Sequence, residues 1–304
     1  MKTQFSVNLL LLNILCSAVA VQAATESNGA RFEVSVGVEQ DSNLNIVELD
    51  KSSEESDLAV LLDAKADAKW QVSEKFALSG GYSYAGKTYQ EQSAYDLALH
   101  QFSVDASYNA ELLTVGASFH YADANLDKKD FLELQQTSFY ASKLLNERFY
   151  LRSAVNLQQK DFAGLRERNA ENVAWVNDGF VFFNQGKSFV ALGFGIENEN
   201  AKLHELDYSA NTLRAKASHQ YELWDKSQKL QAGWRYFTRD YAGVNAEIKR
   251  KRDDSAHVSE VEWEVNFTDH IAAVTKVEYG QYDSNLPSAD YTETRTSLTL
   301  KARF

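Results

Sequence analysis

The chain alternates apolar and polar residues over many short stretches, and this alternation is the main structural signal in the sequence. In the segment ARFEVSVGVEQ, polar or small residues separate Phe32, Val34, Val36 and Val38. Successive side chains of a β-strand point to opposite faces, so a period of two predicts a strand between two different environments. The last segment, TETRTSLTLKARF, repeats the pattern. Residues 30–40 and the last segment are therefore predicted to form amphipathic strands.

More segments of this kind lie between the two ends, and each is long enough to cross a bilayer as a tilted strand of roughly 9–11 residues. They include FALSGGYSY, LLTVGASFHY, FLELQQTSFYASKLL, SFVALGFGIE, TLRAKASHQYELW, KLQAGWRYF, HVSEVEWEVNF and IAAVTKVEY. In FLELQQTSFYASKLL neither alternate set of residues is wholly apolar, so its two faces are the least distinct.

Two kinds of connection alternate between the segments. Short polar turns are predicted near Ser73-Glu74, Asn109-Ala110, Asn146-Glu147, Gln185-Gly186, Lys226-Ser227 and Asp269. Longer loops are predicted around residues 41–57, 86–95, 122–131, 158–170, 197–208, 240–256 and 283–291. Six turns and seven loops divide the chain into fourteen strands, with both termini on the side of the short turns.

This arrangement predicts an all-β fold, a closed antiparallel transmembrane β-barrel of the bacterial outer membrane with both termini periplasmic. A soluble lipocalin-like or sandwich fold is the alternative. Fourteen strands of this length enclose more volume than one layer of side chains fills, which argues against a single soluble core.

The first 23 residues have the features of a secretory signal peptide, which leaves residues 24–304 for the barrel. Lys2 precedes an apolar run, and small residues end at Ala23. That run is too short for the roughly 20 apolar residues of a membrane-spanning helix. The only cysteine, Cys16, leaves with the leader, so the mature chain has no thiol for a disulfide, a metal or a nucleophilic attack.

Composition limits the classes of molecule that are expected to bind the chain. The formal net charge is −12, and loss of Lys2 makes it one unit more negative, so nucleic acid is not expected to bind. A single Pro beside 15 Tyr and 17 Phe suits long uninterrupted strands. Outer-membrane lipid and lipopolysaccharide are the expected surroundings. The histidines have no metal-ligand spacing and no phosphate loop is present, so no cofactor or metal is predicted.

The polar face of the strands predicts a lumen of mixed charge. The stripe Glu260, Glu262 and Glu264 has two interpretations, an acidic lining for a cation-preferring pore or a ladder paired with cations on neighbouring strands, and we favour the ladder. A mixed lumen also argues against strong anion selectivity. The predicted lumen-lining residues are Asp63, Lys65, Arg214, Lys216, Arg235, Arg239, Glu260, Glu262, Glu264, Lys276, Glu278 and Arg295.

The word Asp-Ser-Asn-Leu occurs near both ends of the chain, at Asp41, Ser42 and Asn43 and again at Asp283, Ser284 and Asn285. Each copy follows a predicted strand and opens a predicted extracellular loop. The simpler interpretation is two independent turns capped by Asp or Asn side chains. The alternative is a joint site at the barrel closure, where the two aspartates share a calcium ion.

Two other motifs have a functional and a plain interpretation. The basic run at residues 249–252 either binds lipopolysaccharide phosphates or is a solvated loop. The sequence His257-Val258-Ser259 looks like the His-x-Ser element of outer-membrane lipid A deacylases, but the only outward carboxylate near it is Asp240. The chain is therefore predicted not to be an enzyme, with lipid A modification kept as the most distant alternative.

Two features resemble known outer-membrane proteins. Phe304, with apolar residues at alternate positions before it, resembles the C-terminal signal that the barrel assembly machinery recognises, which implies that machinery as a partner. The first strand ending VGVEQDSNLNI and the count of fourteen strands resemble the C-terminal barrel of the surface lipoprotein assembly modifier family. Members that move lipoproteins carry a periplasmic helical-repeat domain before the barrel, whereas here about seven residues separate Ala23 from the first strand.

The predicted function is thus a pore or transport barrel in the outer membrane of a Gram-negative bacterium. The resemblance implies the alternative, an export barrel for a surface lipoprotein or polymer, with the lipoprotein as its client.

Overall fold

The computed structural model describes residues 28–304, which form a closed barrel of fourteen antiparallel strands. The predicted leader lies outside the described residues. Each barrel strand pairs with its neighbours along the chain, and β1 closes the barrel by pairing with β16. A short pair, β2 and β3, lies in the first loop. The strands are β1 (Asn28–Asp41), β2 (Asn45–Ile46), β3 (Lys51–Ser52), β4 (Asp57–Gln71), β5 (Phe76–Tyr89), β6 (Leu97–Asn109), β7 (Thr114–Leu126), β8 (Lys129–Leu145), β9 (Phe149–Phe162), β10 (Ala170–Phe183), β11 (Ser188–Ala201), β12 (Tyr208–Leu223), β13 (Lys226–Val244), β14 (Lys251–Asn266), β15 (Ile271–Ser284) and β16 (Tyr291–Arg303).

The alternation in the sequence becomes an outer and an inner face of the barrel. Large apolar side chains point outward and are exposed, as expected of a surface that contacts lipid. The outer face includes Val34, Val36, Leu192, Phe194, Leu213, Trp234, Trp263, Val277, Leu298 and Leu300. No helix in the described part of the chain is long and apolar enough to span a membrane.

The first and last described residues, Asn28 and Phe304, lie at one end of the barrel, here called the near end, together with the six short turns. The seven other connections lie at the opposite end, the far end. The turn predicted near Lys226-Ser227 falls instead at residues 224–225, where Trp224 and Asp225 both have positive φ. Two consecutive residues with positive φ are typical of the tight turn that joins two hairpin strands.

The far-end loops are shorter than the sequence suggested. The connection predicted at residues 122–131 is a two-residue turn, Asp127-Lys128, with positive φ at both positions. The loop predicted at 240–256 covers only residues 245–250, because β13 and β14 extend into it. Polar outward residues led to the longer prediction, yet a strand that leaves the lipid keeps its backbone pairing while its outward residues become polar.

The ladder between β1 and β16 is short. It runs over nine residue pairs, from Glu33↔Arg303 to Asp41↔Arg295. On its other side, β1 pairs with β4 over fourteen residues. Backbone hydrogen bonds between Phe32 and Phe304, 3.0 and 2.9 Å long, complete the closure at the near end.

Candidate functional site

The first loop, residues 42–56 between β1 and β4, folds into the barrel at the far end. Leu44 and Ile46 are fully buried, with no exposed surface. Leu44 also holds the loop to itself, since its N–H donates to Glu55 and its carbonyl accepts from Ser53, both at 3.0 Å. Burying two such side chains stabilises the inward position by roughly 1.5–3 kcal/mol each. They form one buried apolar cluster with the inner-face residues Ala59, Tyr89, Leu97, Leu99, Ala122, Ala124, Leu132, Leu134 and Phe162.

Ion pairs join the tip of the first loop to the opposite wall. The Asp50 carboxylate lies 2.8 Å from Arg168, between β9 and β10, and 2.7 Å from Arg252 in β14. Arg168 also donates to the Glu48 carbonyl at 2.8 Å. Burial alone would raise the pKa of Asp50, but the two guanidinium groups outweigh it and lower the pKa. The loop therefore crosses the lumen and is held at both sides.

Glu48 extends this contact to the wall formed by β9 and β11. Its carboxylate lies 3.8 Å from Lys160, which pairs with Glu199 at 2.8 Å. Tyr208 donates to Glu199 at 3.0 Å. A space of about 60 Å³ remains between Glu48 and this wall, enough for a few water molecules.

A chain of alternating charges runs around the inner face from β12 to β5. Glu260 lies 3.6 Å from Lys216 and 3.0 Å from Lys276. Lys276 contacts Glu278 at 2.8 Å, and Glu278 contacts Arg295 at 3.4 Å.

The chain then crosses the closure to β1 and β5. Arg295 lies 3.8 Å from Asp41, and Asp41 pairs with Lys87 at 3.0 Å. Lys87 also pairs with Glu39 at 2.7 Å. Asp41 further accepts from the Tyr89 hydroxyl at 3.0 Å, so the root of the first loop belongs to this network.

The other residues proposed to line the lumen also lie on the inner face, in different surroundings. Glu264 pairs with Arg303 at 2.7 Å and lies 3.9 Å from Lys229. Glu262 has no ion pair within residues 28–304. The remaining contacts are Asp63 with Ser35, Lys65 with Asp67, Arg214 with Asp178, Arg235 over Phe237 and Arg239 over Tyr208 and Phe237.

A polar cavity of about 520 Å³ lies in the near half of the lumen. Arg152 stacks over the Tyr140 ring, 4.6 Å from its centroid, in the wall of this cavity. Small hydroxyl and amide side chains form much of the lining. They include Ser79, Ser83, Gln101, Ser103, Ser118, Gln136 and Ser138.

The two Asp-Ser-Asn words do not form a joint site, so the interpretation that the two aspartates share a calcium ion is wrong. Asp41 points into the lumen opposite Arg295, whereas Asp283 is exposed on the outer face and follows Tyr282, which pairs with Tyr291. The two aspartates are thus offset by about four to five residues along β16, on the order of 15 Å, and face opposite sides.

Each word makes its own local turn. In the first, Asn43 N–H donates to Asp41 at 3.4 Å, and Ser42 accepts from Thr294 N–H at 2.8 Å. In the second, Leu286 N–H donates to Ser284 at 3.0 Å. Asn285 donates to the Lys251 carbonyl at 3.0 Å and to Asp253.

The basic run is divided between two environments. Lys249 and Arg250 lie in the loop, but Lys251 and Arg252 belong to β14. Arg252 is buried against Asp50, Asp254 and the Tyr241 ring. The sequence suggested a surface loop for this arginine, whereas the structure places it inside the barrel.

His257 and Ser259 lie on the outer face. The His257 ring stacks on Tyr236 with centroids 4.5 Å apart. Asp240 pairs with Asp253, four residues from His257 along β14, about 13 Å away. The described residues contain no hydrogen bond from His257 to Ser259 or Asp240. They also contain no group of three or more His, Cys, Asp or Glu side chains able to hold a metal.

Comparison with family models gives a match over residues 30–304, to the model described as surface lipoprotein assembly modifier. The chain belongs to the surface lipoprotein assembly modifier family. Its fold class and location follow, since family and architecture agree on a barrel in the bacterial outer membrane. A comparison with curated protein sequences finds no match.

This surface lipoprotein assembly modifier family member also resembles solved barrels of low identity, which shows the fold alone. OmpT, an outer membrane protein of Vibrio cholerae, is 11% identical with a TM-score of 0.55, covering 93% of this chain and 99% of that chain. An anion-selective porin from Comamonas acidovorans is 9% identical with a TM-score of 0.50, covering 91% and 99%.

The sequence patterns did not identify Asp50, Arg168 and Lys160 as site residues. One signal was available. The first loop contains LNIVEL, with Leu44, Ile46 and other apolar residues in a connection that was expected to face water. Apolar side chains in such a position predict burial, and inside a barrel the available place is the lumen.

Proposed function

We propose that this family member is a gated transport barrel whose route is the lumen and whose gate is the first loop. The near end would face the periplasm and the far end the cell exterior. One observation carries the proposal: the first loop crosses the lumen and is anchored through Asp50 to Arg168 and Arg252.

The polar near half suits a hydrated solute or an extended polypeptide. The cavity of about 520 Å³ is lined by hydroxyl, amide and charged groups that can replace water contacts. The charge chain around the inner wall is internally paired, so it neither strongly attracts nor repels one sign of ion. A constitutively open pore does not fit a loop that is buried by apolar packing and held by ion pairs.

Conductance in planar bilayers tests the gate. The double variant Arg168→Gln and Arg252→Gln leaves Asp50 buried without a cationic partner, which costs the closed state about 3–5 kcal/mol. We expect the wild type to stay mostly closed and the variant to show frequent large steps. Lys129→Gln is the matched control, because it breaks an exposed pair with Asp127. A variant as silent as the wild type would contradict the gate.

A second candidate function is export of a surface lipoprotein, which the family match favours. In this role the polypeptide would use the gated lumen, and the protein would be no enzyme. The test is surface labelling of a lipoprotein co-expressed with the barrel in cells. Labelling that depends on the barrel supports export. An unlabelled lipoprotein beside a conducting barrel supports the solute pore alone.

A further inference from the structure

A groove of about 720 Å³ lies on the outer face, across β8 to β13. Its walls are large exposed side chains such as Leu151, Leu192 and Trp234. Its depth comes from small residues on the same outward face, chiefly Gly179 and Ala215. Further outward lining residues are Leu113, Ala141, Lys143, Ser153, Asn177, Phe194 and Leu213.

The groove follows two adjacent register rows of the barrel. One row joins Lys143, Leu151, Gly179, Leu192, Ala215 and Trp234 from β8 to β13. Six strands span five spacings, about 24 Å. Because strands of such barrels tilt by about 35–45°, the row climbs on the order of 15 Å through the membrane. The groove therefore runs obliquely between the two leaflets rather than along one of them.

Polar groups lie in the middle of this apolar band. The outward positions of β9 are apolar from Phe149 to Leu157, apart from Ser153 at the centre of this run, and become polar beyond it at Gln159 and Asp161. Its register partner on β10 is Asn177, which also faces outward.

Only one of the two central polar side chains has a hydrogen-bond partner within residues 28–304. The Ser153 hydroxyl accepts from the Trp175 indole N–H at 2.9 Å. The Asn177 amide has no hydrogen-bond partner within residues 28–304. An amide facing hydrocarbon without a partner is unfavourable, so its position points to a membrane ligand that carries a polar group.

The depth of that polar group identifies the kind of lipid. A resident phospholipid keeps its esters at the interface, and only its chains reach the centre of the membrane. An ester or amide comes to the level of Asn177 when a lipid moves between leaflets. The ion-paired lumen is also a poor route for acyl chains, because apolar chains there would displace water and counter-charges from the paired groups.

We propose that this groove binds the acyl chains of a lipid-anchored polypeptide, of the N-acylated diacylglyceryl-cysteine class, on its way across the membrane. Asn177 and Ser153 would offer hydrogen bonds to its esters and amide. The inference rests on the export role proposed above and names the route of the lipid part of the client.

Photocrosslinking in vesicles of phosphatidylethanolamine and phosphatidylglycerol tests the groove on the full mature chain. The probe is a synthetic N-acylated diacylglyceryl-cysteine peptide with a diazirine in one acyl chain. We expect crosslinks at Leu192 and Trp234 to exceed those at Val36 and Val60 on the opposite outer wall. A diazirine phosphatidylethanolamine at the same mole fraction should label both walls alike.

Two variants test the shape and the polar centre separately. Gly179→Leu should fill the groove and abolish the excess of crosslinks at Leu192 and Trp234. The variant should fold, since an added Cβ meets only Leu151 Cδ2, at 3.4 Å. Ala66→Leu, on the outer face of β4, is the matched control. Asn177→Leu should reduce the excess about fivefold, the ratio that corresponds to about 1 kcal/mol.

Three results would overturn the proposal. Equal labelling of both walls by the lipopeptide would show that the groove does not bind it. An equal excess with the phospholipid probe assigns the groove to a resident lipid. A dimer that protects Leu192 and Trp234 from both probes assigns it to a second copy. Export in cells distinguishes the two ideas, because unchanged surface labelling with Gly179→Leu refutes the groove and leaves export intact.

Discussion

Gly37 lies in β1 directly against β16, where there is no room for a side chain. A Cβ at this position would stand 2.5 Å from the Leu298 carbonyl oxygen and 2.5 Å from the Thr299 hydroxyl. Gly37→Ala should therefore separate the closing strands and destabilise the barrel by about 1–3 kcal/mol. Heat-modifiable mobility in gels measures the folded fraction. Gly29→Ala, where nothing lies within 4 Å, should behave as wild type.

Phe304 is the last residue of the closure. Its backbone exchanges two hydrogen bonds with Phe32, and its ring stacks on His270 with centroids 6.4 Å apart. Deleting Phe304 should lower the amount of heat-modifiable barrel in the outer membrane, because both the pairing and the predicted assembly signal are lost. Phe304→Trp keeps both and is the control. Undiminished folding after the deletion would show that the C-terminal resemblance is accidental.

Single residues differ in how far the sequence predicts their surroundings. Val34 and Leu298 have an outward position that follows from alternation alone. Arg252 was expected in a surface loop, because its neighbours in sequence are basic and polar. Its partner Asp50 is about 200 positions earlier in the chain, and only the closed barrel brings the two together.

At the scale of one element, the first loop should respond to acid. The lowered pKa of Asp50 means that its pairs favour closure above its ordinary pKa of 3.8 and that this contribution is lost as the pH falls below that value. Conductance should therefore change little between neutral pH and the ordinary pKa of 3.8 and should rise as the pH is lowered below it. Single-channel recording at each pH measures it.

The control for this response is Asp50→Asn. Asparagine keeps the size of the side chain but cannot pair as an anion with Arg168 and Arg252. This variant should be more open at neutral pH and should lose most of the further rise in acid. An unchanged acid response would place the sensitive group elsewhere in the lumen.

The existence of the elements could be predicted better than their ends. Alternation located ten of the fourteen strands, the order of short turns and longer loops predicted the count, and the connections alternate as predicted. The two-residue turn at Asp127 and Lys128 was read as a longer loop, because outward polar residues at the end of a strand have the same composition as a loop. Leu44 and Ile46 indicate that the first loop is buried in the lumen, but hydropathy does not show which groups anchor its tip, since Arg168 and Arg252 are far from Asp50 in sequence.

At the scale of the whole molecule, a charged substitution should destabilise the barrel much more on the outer face than on the inner face. Val104 points outward into the apolar band, and Ser103, the next residue, lines the near-half cavity. Val104→Arg should destabilise the barrel by about 2–4 kcal/mol if it lies near the bilayer midplane. Ser103→Arg should change stability far less. Urea unfolding in detergent or lipid compares the two, and equal losses would contradict the assignment of faces.

The closed barrel itself could be inferred from the strand count and the two faces. The charge chain could not, because it depends on the register of successive ladders. Glu262 shows the limit. It lies on the same face of β14 as Glu260 and Glu264 and two residues from each. It nevertheless has no ion pair in the part of the chain that the structure describes.

The charged pairs in the ladder between β1 and β16 also favour one alignment of the two strands. The two end pairs, Glu33↔Arg303 and Asp41↔Arg295, stand eight residues apart and join opposite charges. A slip of one residue would turn the arginines toward lipid. A slip of two in one direction would leave Arg295 opposite an acid, Glu39, but would set Arg303 against Arg31. In the other direction it would move Arg295 past the end of β1. The first and last strands, which meet only when synthesis is complete, can thus reject a misaligned join by charge before the barrel is sealed.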